Sequence, residues 1–123
     1  MENGTQASLR TRCLELIDAH FSEQRADHAW FARRLHVSRR HLARAFEGDR
    51  SVAERLAHRR LAQFVVTAVL EPQTPLSTIA ERCGYASYET MRTQSHRYLA
   101  CSPRNARDLI SLDESELVER HAA

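Results

Sequence analysis

Apolar residues recur at intervals of three and four through most of this chain, the spacing of helices that bury one face. Leu9, Cys13, Leu16, Ile17 and His20/Phe21 share such a face, and Ser8 stands in a capping position, which predicts a first helix over about 9–22. Asp27 caps a second, short helix carrying Phe31, Ala32 and Leu35 on one side; it ends near His36, where an exposed turn passes Val37. Ser38 caps a third helix. Its Leu42, Ala45 and Phe46 point inward, while Arg40, Ala43, Arg44 and Glu47 follow the same rhythm on the other side. After the break at Gly48-Asp49-Arg50, Ser51 starts a long helix to about Leu70, with Val52, Leu56, Leu61, Val65 and Val69 among its apolar positions. "EPQTP" stops it, because Pro72 and Pro75 deny helix hydrogen bonds.

The pattern then begins again. Leu76, Ile79, Ala80 and Cys83 form another short amphipathic helix, Gly84 permits a positive-φ turn, and Ser87 caps a helix to about Leu99. A short helix, a turn and a Ser-capped helix have now occurred twice, a weak internal repeat at about 49 residues aligning "FARRLHVSRRHLARAF" with "IAERCGYASYETMRTQ". Pro103 fits the first turn of a closing helix, "SPRNARDLI". The expected fold is all-α: two helix-turn-helix subdomains joined by a long linker helix, about seven helices in one domain over 1–123. Its parts are 9–50, the linker 51–71, a second subdomain over 76–110 and an acidic tail over 111–123.

Charge gives these helices a use. All 18 basic residues other than histidine are Arg, and the net charge of +2 hides their clustering. Residues 33–60 set nine Arg against Glu47, Asp49 and Glu54, a balance of +6; residues 76–107 set five Arg against Glu81 and Glu89, a balance of +3. Residues 108–123 carry −4. Two basic islands on helices suit an anionic polymer, since Arg offers a permanently charged fork to phosphate or guanine. By charge alone, solvated helix faces remain equally open.

"LHVSRRHLARAF", "SVAERLAHRRL", "STIAERCGYAS" and then "SP" followed by Arg104, in this order and at these separations, resemble the DNA-binding domain of the AraC/XylS family of bacterial transcription regulators. The resemblance covers about residues 9–110. It implies a sequence-specific regulator that places recognition helices 38–47 and 87–99 in successive major grooves of double-stranded DNA. It further implies RNA polymerase as a second partner and a monomer on DNA. By position, Arg40, Ala43 and Arg44 become base-reading residues of the first helix, and Tyr88, Glu89, Arg92 and Thr93 those of the second. Arg40 or Arg44 can bond bidentately to guanine, and Ala43 can touch a thymine methyl. Ser38, Arg39, Arg50, Ser87 and His96 become phosphate contacts.

The second subdomain departs from the family pattern. Met91 and Ser95 stand where relatives have two core phenylalanines, and Ala100 where they have Gly. Ser95 empties space that Phe64, on the linker helix, is expected to refill. Glu89 either reads a cytosine amino group or repels phosphate, so the second unit is expected to bind DNA more weakly. Arg55, where relatives carry an aromatic residue, is expected to snorkel at the edge of the core rather than extend the basic surface.

Other function classes find less support. Cys13, Cys83 and Cys101 are far apart with no paired His spacing, so neither a zinc site nor another cofactor is expected. Cys13 and Cys83 fall on apolar faces, leaving Cys101 as the more exposed candidate for redox chemistry. His41 is expected to be a plain polar residue facing solvent, and Trp30 a core or rim residue. No phosphate loop or nucleophile arrangement indicates an enzyme. The 123 residues, 42% of them hydrophobic, suit one compact domain and contain neither a membrane-length apolar run nor a signal-peptide core, so the expected location is cytoplasmic. They leave no room for a separate effector-sensing domain, so the expectation is either a minimal regulator or a fragment of a longer one. The competing reading is a protein-binding module in which a degenerate second unit and the tail "LDESELVER" dock a transcription partner or the polymerase.

Overall fold

The computed structural model describes residues 2–100 and 102–105. Within them the chain is helical: α1 (Glu2–His20), α2 (His28–Arg34), α3 (Arg39–Ala45), α4 (Val52–Leu70), α5 (Leu76–Arg82) and α6 (Tyr88–Leu99), with residues 103–105 opening a seventh helix. The remainder of that closing helix, the acidic tail and Cys101 lie outside the described residues. Two compact units divide the chain, Met1–Arg60 and Leu61–Ala123.

In the first unit, Leu9, Cys13 and Ile17 of α1 pack with Phe31, Ala32 and Leu35, with Leu42, Ala45 and Phe46, and with Val52 and Leu56 at the start of α4. Each large side chain buried in this way contributes about 1.5–3 kcal/mol. The expected Ser8 cap is corrected: α1 already begins at Glu2 and Ser8 lies exposed inside it. Gly4 is the weakest helix former in that first stretch, and its cost of about 1 kcal/mol does not end a helix anchored by Leu9 and Cys13. Leu16, His20 and Phe21 reach only the rim of the core. Val37, expected in an exposed turn, is half-buried against it.

The caps of α2, α3 and α6 fall at the expected residues. Asp27 accepts the Trp30 N–H at 2.8 Å, Ser38 the His41 N–H at 3.0 Å, and Ser87 the Thr90 N–H at 3.1 Å. Ser51 accepts the Glu54 N–H at 3.2 Å ahead of α4, in a Ser-x-x-Glu capping sequence.

The second unit buries Phe64, Ala68, Ile79, Ala80, Cys83, Tyr85 and Met91. In this part of α4 the buried positions are Leu61, Phe64 and Ala68; Val65 and Val69, expected inside, are half-buried, and Val66 and Leu70 are exposed. Ser95 is fully buried, as is Phe64.

Both units repeat one turn. In the first, Val37 N–H bonds the Ala32 carbonyl and His36 N–H the Arg33 carbonyl, both at 3.1 Å, with His36 at φ 57°. In the second, Tyr85 N–H bonds Ala80 and Gly84 N–H bonds Glu81, again at 3.1 Å, with Gly84 at φ 90°. These are Schellman helix ends, one built on Gly and the other on His. Ala86 is the one extra residue in the second turn, so the repeat shifts from 48 (Phe31 to Ile79) to 49 (Ser38 to Ser87).

Two stability outcomes follow. Phe64→Ala will cost about 3–5 kcal/mol in urea unfolding, while Val66→Ala, on the same helix but exposed, will stay within about 0.5 kcal/mol. Ala100 caps α6 at φ 55°, a left-handed conformation that costs a Cβ-bearing residue about 1 kcal/mol. Ala100→Gly will therefore raise the thermal midpoint, and an unchanged or lowered midpoint would contradict the strain.

Candidate nucleic-acid interface

Helix α3 is only seven residues long, with one side wholly inside the first unit. Leu42, Ala45 and Phe46 are 0, 4 and 3% exposed. Arg39, Arg40, Ala43 and Arg44 are all exposed. Arg40, Ala43 and Arg44 follow at i, i+3 and i+4, one side of a helix. Among the described residues no carboxylate pairs with Arg39, Arg40 or Arg44. The helix therefore presents a surface of unneutralised guanidinium groups around one methyl group.

Two interactions hold that surface in place. Ser38 terminates α3 with a side-chain cap. His28, at the start of α2, places Nε2 2.9 Å from the Arg39 carbonyl, and because a carbonyl can only accept, the ring donates. Periodicity did not point to His28, since the contact spans eleven positions and two helices. Arg50 is exposed in the loop before α4, where its backbone N–H donates to Asp49 Oδ1 at 2.7 Å.

Part of the first basic island serves the fold instead. Arg55 Nη2 lies 2.7 Å from both Asp49 carboxylate oxygens, so Arg55 neither extends the basic surface nor simply snorkels. The Arg55 guanidinium, helped by the Arg50 N–H, holds the Asp49 carboxyl below its ordinary range. Arg59 Nε bonds Asp18 at 2.7 Å and its guanidinium lies 4.0 Å from the Phe21 ring. Arg60 donates to the Phe21, Glu23 and Ala26 carbonyls at 2.8, 2.8 and 3.3 Å, satisfying the backbone that follows α1. His58 is disfavoured as a cation, chiefly by burial and then by the Arg50 charge.

In the second unit α6 carries Met91 and Ser95 inward. Tyr88, Glu89, Arg92, Thr93 and His96 are exposed, and Ser87 caps the helix. Here one arginine is neutralised on the helix itself, because Arg92 Nη1 lies 3.2 Å from Glu89 Oε1 across one turn. Arg82 is similarly engaged by Glu71 at 2.9 Å, and the Arg82 guanidinium, with the Thr74 hydroxyl, holds that carboxyl below its ordinary range.

Cys13 and Cys83 are buried free thiols, and burial pushes Cys13 up to about 11, so the reactive thiolate is scarce at neutral pH. Among the described residues no group of three or more His, Cys, Asp or Glu could hold a metal ion, and no helix is long and apolar enough to cross a membrane.

Known proteins are consistent with this geometry. The profile of the helix-turn-helix domain family matches residues 31–108. The solved C-terminal domain of AraT, a response regulator from Geobacillus stearothermophilus, is similar at a TM-score of 0.77 and 24% identity, covering 82% of this chain and 84% of that one. That likeness speaks for the fold. No curated protein sequence matches. A family match over more than half of the chain, on a structure that repeats the capped helix-turn-helix twice, means that the chain belongs to the helix-turn-helix domain family in its AraC-type form, whose members are non-enzymatic, double-stranded DNA-binding transcription regulators.

Proposed function

We propose that the protein reads a specific DNA sequence chiefly through α3, which enters the major groove with Arg40 and Arg44 toward guanines and Ala43 toward a thymine methyl. Ser38, Arg39 and Arg50 hold the phosphates on either side. The observation that carries this reading is the pair of exposed, unneutralised guanidiniums on a short helix whose opposite side is fully buried. Helix α6 enters a second groove segment through Tyr88, Glu89, Arg92 and Thr93, with Ser87 and His96 toward phosphate. It discriminates less, because Glu89 occupies Arg92 and adds a negative charge near the backbone. One chain occupies each site as a monomer, and RNA polymerase is the machinery it serves.

The decisive experiment is selection of bound fragments from randomised duplex DNA at two salt concentrations. A strong half-site accompanied by a weaker one about 10 base pairs away supports the reading. Absence of any enrichment at either salt overturns it and favours a protein-binding module.

Arg40→Ala and Arg44→Ala will each relax preference at one base pair by about 1–3 kcal/mol, whereas Arg39→Ala will weaken all sequences alike and reduce the salt slope by about one. Binding isotherms over single-base variants of the selected site check both. Glu89→Ala will raise affinity for all sequences by freeing Arg92. A loss confined to sites with one particular C·G pair would instead identify Glu89 as a cytosine reader.

A further inference from the structure

The first unit carries a second cationic feature that DNA reading does not use. Arg25, Asp27, Trp30, Arg33 and Arg34 line an open hollow of about 450 Å³. We infer that this hollow docks an acidic peptide segment of a partner protein, with carboxylates received by Arg25, Arg33 and Arg34 over the plane of Trp30.

The charge is unbalanced in favour of anions. Among the described residues Asp27 is the only acidic one in the lining, and its Oδ1 already accepts the Trp30 N–H as the cap of α2. Among the described residues no carboxylate forms an ion pair with Arg25, Arg33 or Arg34, whereas Arg55, Arg59, Arg82 and Arg92 each have one. The floor is rigid. The Arg34 guanidinium lies 4.0 Å from the Trp30 ring centre, and His20 and Phe31 meet that ring edge-on at 5.3 and 5.0 Å. Trp and Arg set together on a surface are the residue types that anchor protein partners, and guanidinium forks match carboxylates.

Two observations separate this hollow from the DNA face and from a small-molecule pocket. His28 marks the side of α2 that bonds to α3, and Trp30, two residues on, stands roughly 160° around the helix from it. A small ligand needs most of its surface enclosed, and a hollow open to solvent does not supply that; a chain laid across it does not need enclosure.

Trp30 is the only tryptophan of the chain, so its emission reports on the hollow alone. The full chain is titrated with a synthetic peptide of about a dozen residues rich in Glu and Asp, and separately with its selected DNA. The expected result is a saturable emission change whose affinity falls about tenfold in Arg25→Gln and in Arg33→Gln, both exposed positions, and is unmoved by Arg40→Ala. DNA affinity of the Arg25→Gln/Arg33→Gln double variant stays within about twofold of the parent. Four results overturn the inference: no saturable change; equal loss in Arg40→Ala, which puts the peptide on the DNA face; parallel loss of DNA affinity in the double variant, which makes the arginines phosphate contacts; or the same change with free glutamate or benzoate, which makes the hollow a small-anion site. The peptide titration needs no DNA, so its outcome is independent of the DNA-reading proposal.

Discussion

A helix of seven residues is not stable by itself in water, because nucleation fixes several residues before any hydrogen bond repeats. Helix α3 therefore exists only through the burial of Leu42, Ala45 and Phe46 and the Ser38 cap. That dependence aims the arginines. Once the apolar side is seated, the rotation of the helix is set, and Arg40 and Arg44 have one direction in which to project. The His28 bond to the Arg39 carbonyl adds a second fixed point at the end of the helix that Ser38 caps.

The two units show one device made from unequal materials. Both use a Ser-capped helix after a Schellman turn, yet the first accepts His36 where the second has Gly84. The residue that seals the back of the second helix is Phe46 in the first unit and the much smaller Ser95 in the second, where Phe64 shares the core instead. Outside, Arg40 corresponds to Glu89 and Ala43 to Arg92, so one helix shows open positive charge and the other an ion pair. Core and surface differ together between the two units.

Much of this was legible in the residues. The caps Asp27, Ser38, Ser51 and Ser87, the stop at Pro72 and Pro75, and the inward triplet Leu42, Ala45, Phe46 are local signals, because a cap or a helical stripe is decided within a few positions. The candidate reading residues could be placed on exposed faces for the same reason. The start of α1 was not legible, since Ser8 satisfies the statistical pattern of a cap while the packing of Leu9 and Cys13 carries the helix through it.

The sequence by itself thus determined the element order, the doubled helix-turn-helix and the clustering of arginine. Only the tertiary structure decided which arginines are available. Arg55, Arg59 and Arg60 belong to the same run of charge as Arg40 and Arg44, but Asp49, Asp18 and the carbonyls of Phe21, Glu23 and Ala26 engage them. Arg25, Arg33 and Arg34 are instead gathered around Trp30. Charge is a property of a residue, whereas its neutralisation depends on partners up to 41 positions away, and only the folded chain brings those together.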